Sequence, residues 1–360
     1  MVARFNLERD TEMAHMIDVS TGRAAMAYVG SEPWHGLGHA LTPGASIETW
    51  TQQAGLGYTV LESAVEYVTP AVTGHQVWAD RKVLHRSDNG APLAVVSKAY
   101  NVVQPREIME FFRTLTDIGG FELETAGALS DGKRVWALAR VSDGAPVIDG
   151  DLVRPYLLLG TSYDGTMATV AKFTAIRVVC NNTITAAVGG YTGGRVIKGE
   201  TETDKGYLKS AVRVLHSEKF DPQAVRLQLG IVAGAWEKFL IDSRMLASVP
   251  MGILEADQFV RQLLEPYQTS KKSVDETKGY REIMRLFNGS AIGSDIPGVS
   301  GTRWGMLNAV TEMVDHSRGR SNNTRIESAW FGTGGALKAR AVEMLTADFA
   351  SEPEPKPVPA

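Results

Sequence analysis

The residue types best suited to chemistry fall in two short clusters. The first is the run Phe173-Thr-Ala-Ile-Arg-Val-Val-Cys-Asn-Asn-Thr-Ile-Thr-Ala-Ala187, which sets Arg177, the single cysteine Cys180, Asn181 and Asn182 inside an apolar stretch. Burying those polar groups costs on the order of several kcal/mol unless each finds a partner. The segment is therefore either a structural hydrogen-bonding hub or the edge of a binding site. The second cluster, Glu32-Pro-Trp-His-Gly-Leu-Gly-His39, poses the same choice.

Each cluster can be tested against the chemistry its residues would allow. His35 and His39 are four apart, a spacing that aligns metal ligands on a helix, but Gly36 and Gly38 disfavour a helix there. Loop capping and packing against Trp34 is the plainer reading, although Trp34 could also stack on a base. Cys180 as a nucleophile would need a positioned histidine, and nothing in the sequence brings His75, His85 or His216 to it. After two valines it reads as a small core residue. Arg177 in an apolar run must pair, snorkel or bind an anion, so it is either a structural ion pair or a ligand contact. Phe331-Gly-Thr-Gly-Gly-Ala-Leu-Lys338 superficially suggests a phosphate site, yet it lacks the P-loop spacing and follows no predicted strand. It reads as a glycine turn entering the last helix. No nucleophile elbow, helical His pair or paired-carboxylate cluster appears, so the motifs declare no reaction, metal or cofactor.

The elements that must position these residues change character along the chain. Residues 1–45 read as irregular with a helix near Thr21–Val29, and Ser46–Gly55 reads as a short capped helix. Tyr58–Val68, Gly74–Leu84 and Leu93–Ser97 are rich in β-branched and aromatic residues and read as strands. Pro105 opens a helix with Ile108, Met109, Phe112 and Leu115 on one stripe. Strands Phe121–Leu129 and Arg134–Val141 follow, then a hairpin, Tyr156–Tyr163 and Thr166–Lys172, turning at Asp164-Gly165. The 173–187 run is read as the start of a helix ending at Gly189-Gly190, with a glycine-rich loop to 199. Helical periodicity is then expected over 207–219, 222–242, 255–266, 275–288, 302–316 and 335–349. This is an α+β organisation: an N-terminal antiparallel-sheet domain with helices packed on it, then a mostly helical C-terminal part. The expected divisions are an irregular segment at 1–45, the α+β domain at 46–206, the helical domain at 207–349 and a disordered Pro-rich tail at 350–360.

Composition narrows the partners. The 360 residues carry 44% hydrophobic and 22% charged residues and a net charge of −4, so any nucleic-acid surface must be local. One cysteine excludes an internal disulfide, and no apolar run approaches the ~20 residues of a membrane span. With no secretory signal pattern at the start, the expected location is the cytoplasm. Charge is uneven. Between 171 and 220 stand Lys172, Arg177, Arg195, Lys198, Lys205, Lys209, Arg213 and Lys219 against only Glu200, Glu202, Asp204 and Glu218. Arg318, Arg320 and Arg325 follow with no acid among them. Both stretches are either solvated faces or phosphate-contacting surface.

Several motifs in order resemble a phage/plasmid-like protein family. They are Met13-Ala-His-Met-Ile17, Ala27-Tyr-Val-Gly-Ser-Glu-Pro-Trp-His-Gly-Leu-Gly38, Ile176-Arg-Val-Val-Cys-Asn-Asn-Thr-Ile184 and Trp330-Phe-Gly332, spread over about residues 13 to 345. Asn181 departs from the glutamine expected there. The resemblance implies a habitat on bacteriophages, plasmids and integrated elements, and it carries no active residues because the family is a domain of unknown function. The order helix, hairpin, third strand, helix also looks like single-strand annealing proteins, which form rings and pair DNA strands in a basic groove without a cofactor. That resemblance implies a cofactor-free, homo-oligomeric protein that binds single-stranded DNA. Lys172, Arg177, Arg195, Lys198, Lys205 and Lys209 would contact phosphates, and Trp34 or Tyr191 would stack on bases. Two alternatives stand beside it. One is a ligand-binding protein or enzyme in which the Trp34–His39 loop meets the Arg177–Asn182 hub (His35, His39, Arg177, Asn181 and Asn182). The other is a host-directed interaction protein.

Overall fold

The computed structural model describes residues 17–30, 37–119, 121–177, 182–184, 211–217, 219–221, 234–268, 273–318, 328–329 and 332–349. The fold is α+β, with sheets and helix in the N-terminal part and a mostly helical C-terminal part. The large sheet runs β11(Asn182–Ile184), β10(Thr169–Arg177), β9(Asp151–Ser162), β7(Arg134–Arg140), β6(Glu122–Leu129), β1(Met26–Val29), β2(His39–Leu41). Two short strands lie off that path: β8(Ala145–Ile148) pairs with β9, and β12(Ala211–Val214) pairs with β10. Only the β1–β2 pair is parallel among these strands. A separate antiparallel ribbon is built of β3(Val60–Thr69), β4(Val72–Arg86) and β5(Pro92–Ser97).

Side-chain size in the strand register sets what can pack on the large sheet. Ala27, Ala126, Ala137, Leu159 and Ala171 lie opposite one another across five strands, all buried. This low row belongs to the same core as Ile108, Met109, Phe111 and Phe112 of helix α2(Pro105–Gly119), because small residues on a strand face let a helix approach closely. On the opposite face, Trp136 sits between Gly127 and Gly160, which leave room for its indole. Helix α1(Ile47–Gln53) starts where the Ser46 hydroxyl accepts from the Thr49 N–H at 3.2 Å. Ser46→Ala is expected to lower stability by about 1 kcal/mol, read as a shift in urea midpoint without a change in slope.

The helical part comprises α3(Gly234–Ser248), α4(Ile253–Leu264), α5(Lys278–Arg285), α6(Arg303–Glu312) and α7(Thr333–Leu345). Helix α6 is buried from Trp304 to Glu312, so it is the axle of this half, apolar on nearly every side. The helical core also takes in Val147, Val153 and Ala175 from the sheet, which joins the two halves through side-chain packing.

Three expected helices are strands. Thr21–Val29 contains β1 rather than a helix, and the 173–187 run contains the end of β10 and all of β11. Residues 207–219 contain β12, paired with Thr169–Lys172 of β10. In β10 the cause is burial on both faces. It erases the period-two alternation, and a continuous apolar run has no period by which to tell strand from helix. The Pro-rich tail, and the loop expected at 189–199, lie outside the described residues.

Candidate functional site: the seam between sheet and helices

Strand β10 carries Arg177 at its end and Lys172 in its middle, on opposite faces because five positions separate them. The Arg177 side chain has no solvent exposure. Its Nε donates to Asp151 Oδ1 at 2.6 Å, its Nη1 to the Ile292 carbonyl at 2.8 Å and its Nη2 to the Gly293 carbonyl at 3.1 Å. The other oxygen of Asp151 accepts from Trp304 Nε1 at 2.8 Å. One planar guanidinium thus ties β10 to β9, to the turn after α5 and, through Asp151, to α6. Of the two readings open for Arg177, the structural ion pair is the one realised. The expectation that Arg177 contacts DNA phosphate is corrected here: its donors are turned to protein acceptors and its head is sealed from water.

Lys172 lies in a register row with Leu138, Leu158 and Ala211, and it too is buried. Burial is the main cause, with the charge of Lys338 second, that pulls its amine from the ordinary lysine range to about 7. A buried amine is no phosphate contact on an open surface, so that expectation for Lys172 is also corrected. What it can do is gain or lose a proton near neutrality. Lys338, fully buried on α7, donates to Asp315 at 2.8 Å. That explains the glycine-rich run before it. A Cβ on Gly334 would sit 2.9 Å from the Ser328 carbonyl oxygen and from Val314 Cγ1, so glycine there permits close packing. The lysine is spent on an ion pair, and the glycine-turn reading of the segment agrees with this geometry.

The other candidates divide between placed and undescribed. Asn182 faces Arg177 across the β10–β11 pair. His39 lies on β2, at the far edge of the large sheet, with its Nδ1 3.5 Å from Arg23 Nη2. Six strand-to-strand steps separate β2 from β11, roughly 29 Å along the sheet at about 4.8 Å each. His39 and Asn182 thus lie at opposite ends of the strand order, while Leu37 and Ile176 from the two runs pack against one hydrophobic cluster under the sheet. Trp34, His35, Cys180, Asn181, Tyr191, Arg195, Lys198, Lys205 and Lys209 lie outside the described residues. The histidines weighed as bases for Cys180 have other engagements. His75 pairs with Glu66 and His85 bonds Ser63. His216 stacks on Tyr100 and reaches the Asn101 and Met167 carbonyls, both at 3.0 Å, and burial holds its pKa below the usual histidine value. Among the described residues no group of three or more His, Cys, Asp and Glu side chains could hold a metal ion. Nor is any helix among them long and apolar enough to cross a membrane.

Sequence reasoning missed Asp151, Trp304 and Asp315. Asp151 follows the turn residues Asp149-Gly150 and reads as one more polar loop residue. The only signal for a buried acid is Arg177 itself, since an arginine in a strand buried on both faces demands a carboxylate.

Together these features define an α+β protein whose helical half is clamped to a sheet edge by a buried arginine–aspartate–tryptophan network. The chain belongs to the family described as Domain of unknown function (DUF932), whose model matches residues 92–198 and 203–330, about two thirds of its length. No curated protein and no solved structure matches it significantly.

Proposed function

We propose that this protein binds single-stranded DNA along the seam between sheet and helices and promotes strand annealing, as part of the DNA metabolism of a phage or plasmid. The observation that carries the reading is that the described residues bordering two cation-rich stretches of sequence lie along one seam. The first, holding Arg195, Lys198, Lys205 and Lys209, departs at β11 and rejoins at β12, and both strands pair with β10. The second, holding Arg320 and Arg325, departs just after Arg318. That departure point is close to Asp315, whose partner Lys338 is the charged neighbour of Lys172 on β10. Arg318 itself lies over the Tyr267 ring at 5.6 Å, a cation–π contact at the same margin. The cations that the sequence carries beside these strand ends and beside Arg318 are the local charge that an acidic protein needs to hold a phosphate chain.

Burial of Lys172 and Arg177 moves the expected phosphate contacts to the exits from the seam. The fourfold variant Arg195→Ala, Lys198→Ala, Lys205→Ala, Lys209→Ala should weaken binding to a ~40-nucleotide strand. It should also flatten the log–log salt slope by about 3, at roughly 0.7 per lost contact. Fluorescence anisotropy over a salt series reads both, with duplex DNA as the competitor. Lys172→Met should leave the slope where it was. A fourfold variant with wild-type affinity and slope, or a wild-type protein indifferent to single strands at low salt, refutes the reading.

A further inference from the structure

In the helical half, two arginines converge on one tyrosine. Tyr267 closes the short turn Glu265–Tyr267 that follows α4. Arg318, just past the turn Met313–Ser317 at the end of α6, stands over the Tyr267 ring, its Cζ 5.6 Å from the centroid. Arg340 approaches from α7, where its Nη2 donates to the Gln262 carbonyl in the last turn of α4 at 3.4 Å. Burial raises the pKa of Tyr267, while the charges of Arg340 and Arg318 pull it down. Both cations thus act on one phenol, and no carboxylate among the described residues joins them. Tyr267, Arg318 and Arg340 are each half-buried, so the cluster opens at the surface.

Arg340 has donor capacity that its protein acceptors leave unused. Its Nε is buried and makes no hydrogen bond, and the bond from Nη2 is long. A guanidinium presents five N–H donors in a planar fork, shaped for the oxygens of a carboxylate or phosphate. Burial also weighs on Arg318, lowering its pKa while Tyr267 opposes the shift. Glu282, which accepts from Ser317, is engaged by Arg285. Glu265 and Glu343 are exposed and make no ion pair among the described residues. Two positive charges, an unused Nε–H and a phenolic hydroxyl suit a doubly charged tetrahedral anion better than a singly charged carboxylate.

We infer that Arg318, Arg340 and Tyr267 form a binding site for a phosphate monoester, the arginines holding the dianion and Tyr267 donating from its hydroxyl. An internal phosphate of a nucleic-acid strand carries one charge and two bulky substituents, and matches the cluster less well. Two sources share the monoester chemistry: a free mononucleotide and the 5′-phosphorylated end of a strand. The site uses none of the four cations substituted to test DNA binding, so it goes beyond the proposed function and does not depend on it.

Isothermal titration calorimetry of the full chain with inorganic phosphate and with deoxyadenosine 5′-monophosphate tests the inference, with deoxyadenosine as the uncharged control. Both phosphates should bind and deoxyadenosine should not. Arg340→Gln and Arg318→Gln should each weaken binding by roughly tenfold or more, the loss of one charge-assisted contact. Tyr267→Phe should weaken it less. A second readout needs no variant: phenylglyoxal should modify Arg318 and Arg340 in the wild type, and phosphate should protect both, as read by peptide mass. A short strand with a 5′-phosphate, set against its 5′-hydroxyl twin, separates the two sources. A gain from the 5′-phosphate that exceeds mononucleotide binding assigns the strand end, and a smaller gain or none assigns the free nucleotide. The site is overturned if neither phosphate binds, if deoxyadenosine binds as well, if both arginine variants bind like wild type, or if phosphate protects neither arginine. The fourfold variant Arg195→Ala, Lys198→Ala, Lys205→Ala, Lys209→Ala should keep full mononucleotide binding. A protein that binds the mononucleotide but not single strands would refute the proposed function and leave this inference standing, and the reverse result would do the opposite.

Discussion

Arg177→Ala is expected to lower the free energy of unfolding by about 3–5 kcal/mol, the range for breaking a buried ion pair from one side. Three losses combine. Asp151 stays buried with only the Trp304 indole to answer its charge, and the Ile292 and Gly293 carbonyls lose their charged donor. Removing a partner costs more than the net value of the bond, because the group left behind is desolvated and unpaired. Arg177→Lys should recover little, since one ammonium cannot reproduce a planar fork that spans acceptors on two elements. Arg177→Met with Asp151→Leu should recover part of the loss, because no charge is left buried, although the Trp304 indole N–H and the Ile292 and Gly293 carbonyls lose their partners. Urea unfolding of the three variants checks the order. A loss below about 1 kcal/mol for Arg177→Ala would mean that the clamp is not what joins the halves.

The second large effect is a pH dependence seated at Lys172. Its folded pKa of about 7 lies below the ordinary lysine value of 10.5. Between those values the unfolded chain holds a proton that the folded chain has released, so stability rises with pH across the window. Below pH 7 both states are protonated and the full penalty of a buried charge is present. One such group contributes a slope of about 1.4 kcal/mol per pH unit in mid-window. Tyrosines close the window at its upper end. Burial raises the pKa of Tyr58, Tyr100, Tyr156 and Tyr163, so the unfolded chain ionises first and stability falls above about pH 10. Lys172→Met should abolish the rise between pH 7 and 9. Urea midpoints of variant and wild type at three pH values in that range measure the difference. Parallel pH profiles would show that Lys172 is protonated in the folded protein throughout.

These two residues also mark how far the sequence could be read. Local patterns with their own punctuation were legible: the Ser46 cap, the Pro105 start of α2, the Asp164-Gly165 turn, and the helices near 255–266, 302–316 and 335–349. Each rests on interactions within a few residues, which a one-dimensional reading contains. Strand β10 was not legible as a strand, since burial on both faces leaves no alternation to detect. Nor was β12, whose four residues are held by pairing with a strand some forty positions earlier.

The candidate site shows the same division. Arg177 stood out from the sequence as a residue that must pair, bind or snorkel, because a guanidinium among apolar neighbours is costly wherever the chain goes. The α+β class, the low net charge and the cation-rich segments were likewise properties of the chain itself. Tertiary structure alone decided that the answer to Arg177 is Asp151 on the neighbouring strand and two carbonyls more than a hundred residues away. It also decided that the charge of Lys338 bears on Lys172, and that His39 and Arg177 stand five strands apart in one sheet. The physical reason is range. Propensity, capping and turn chemistry act between near neighbours, whereas the state of a buried charge depends on whichever distant residues the fold brings to it.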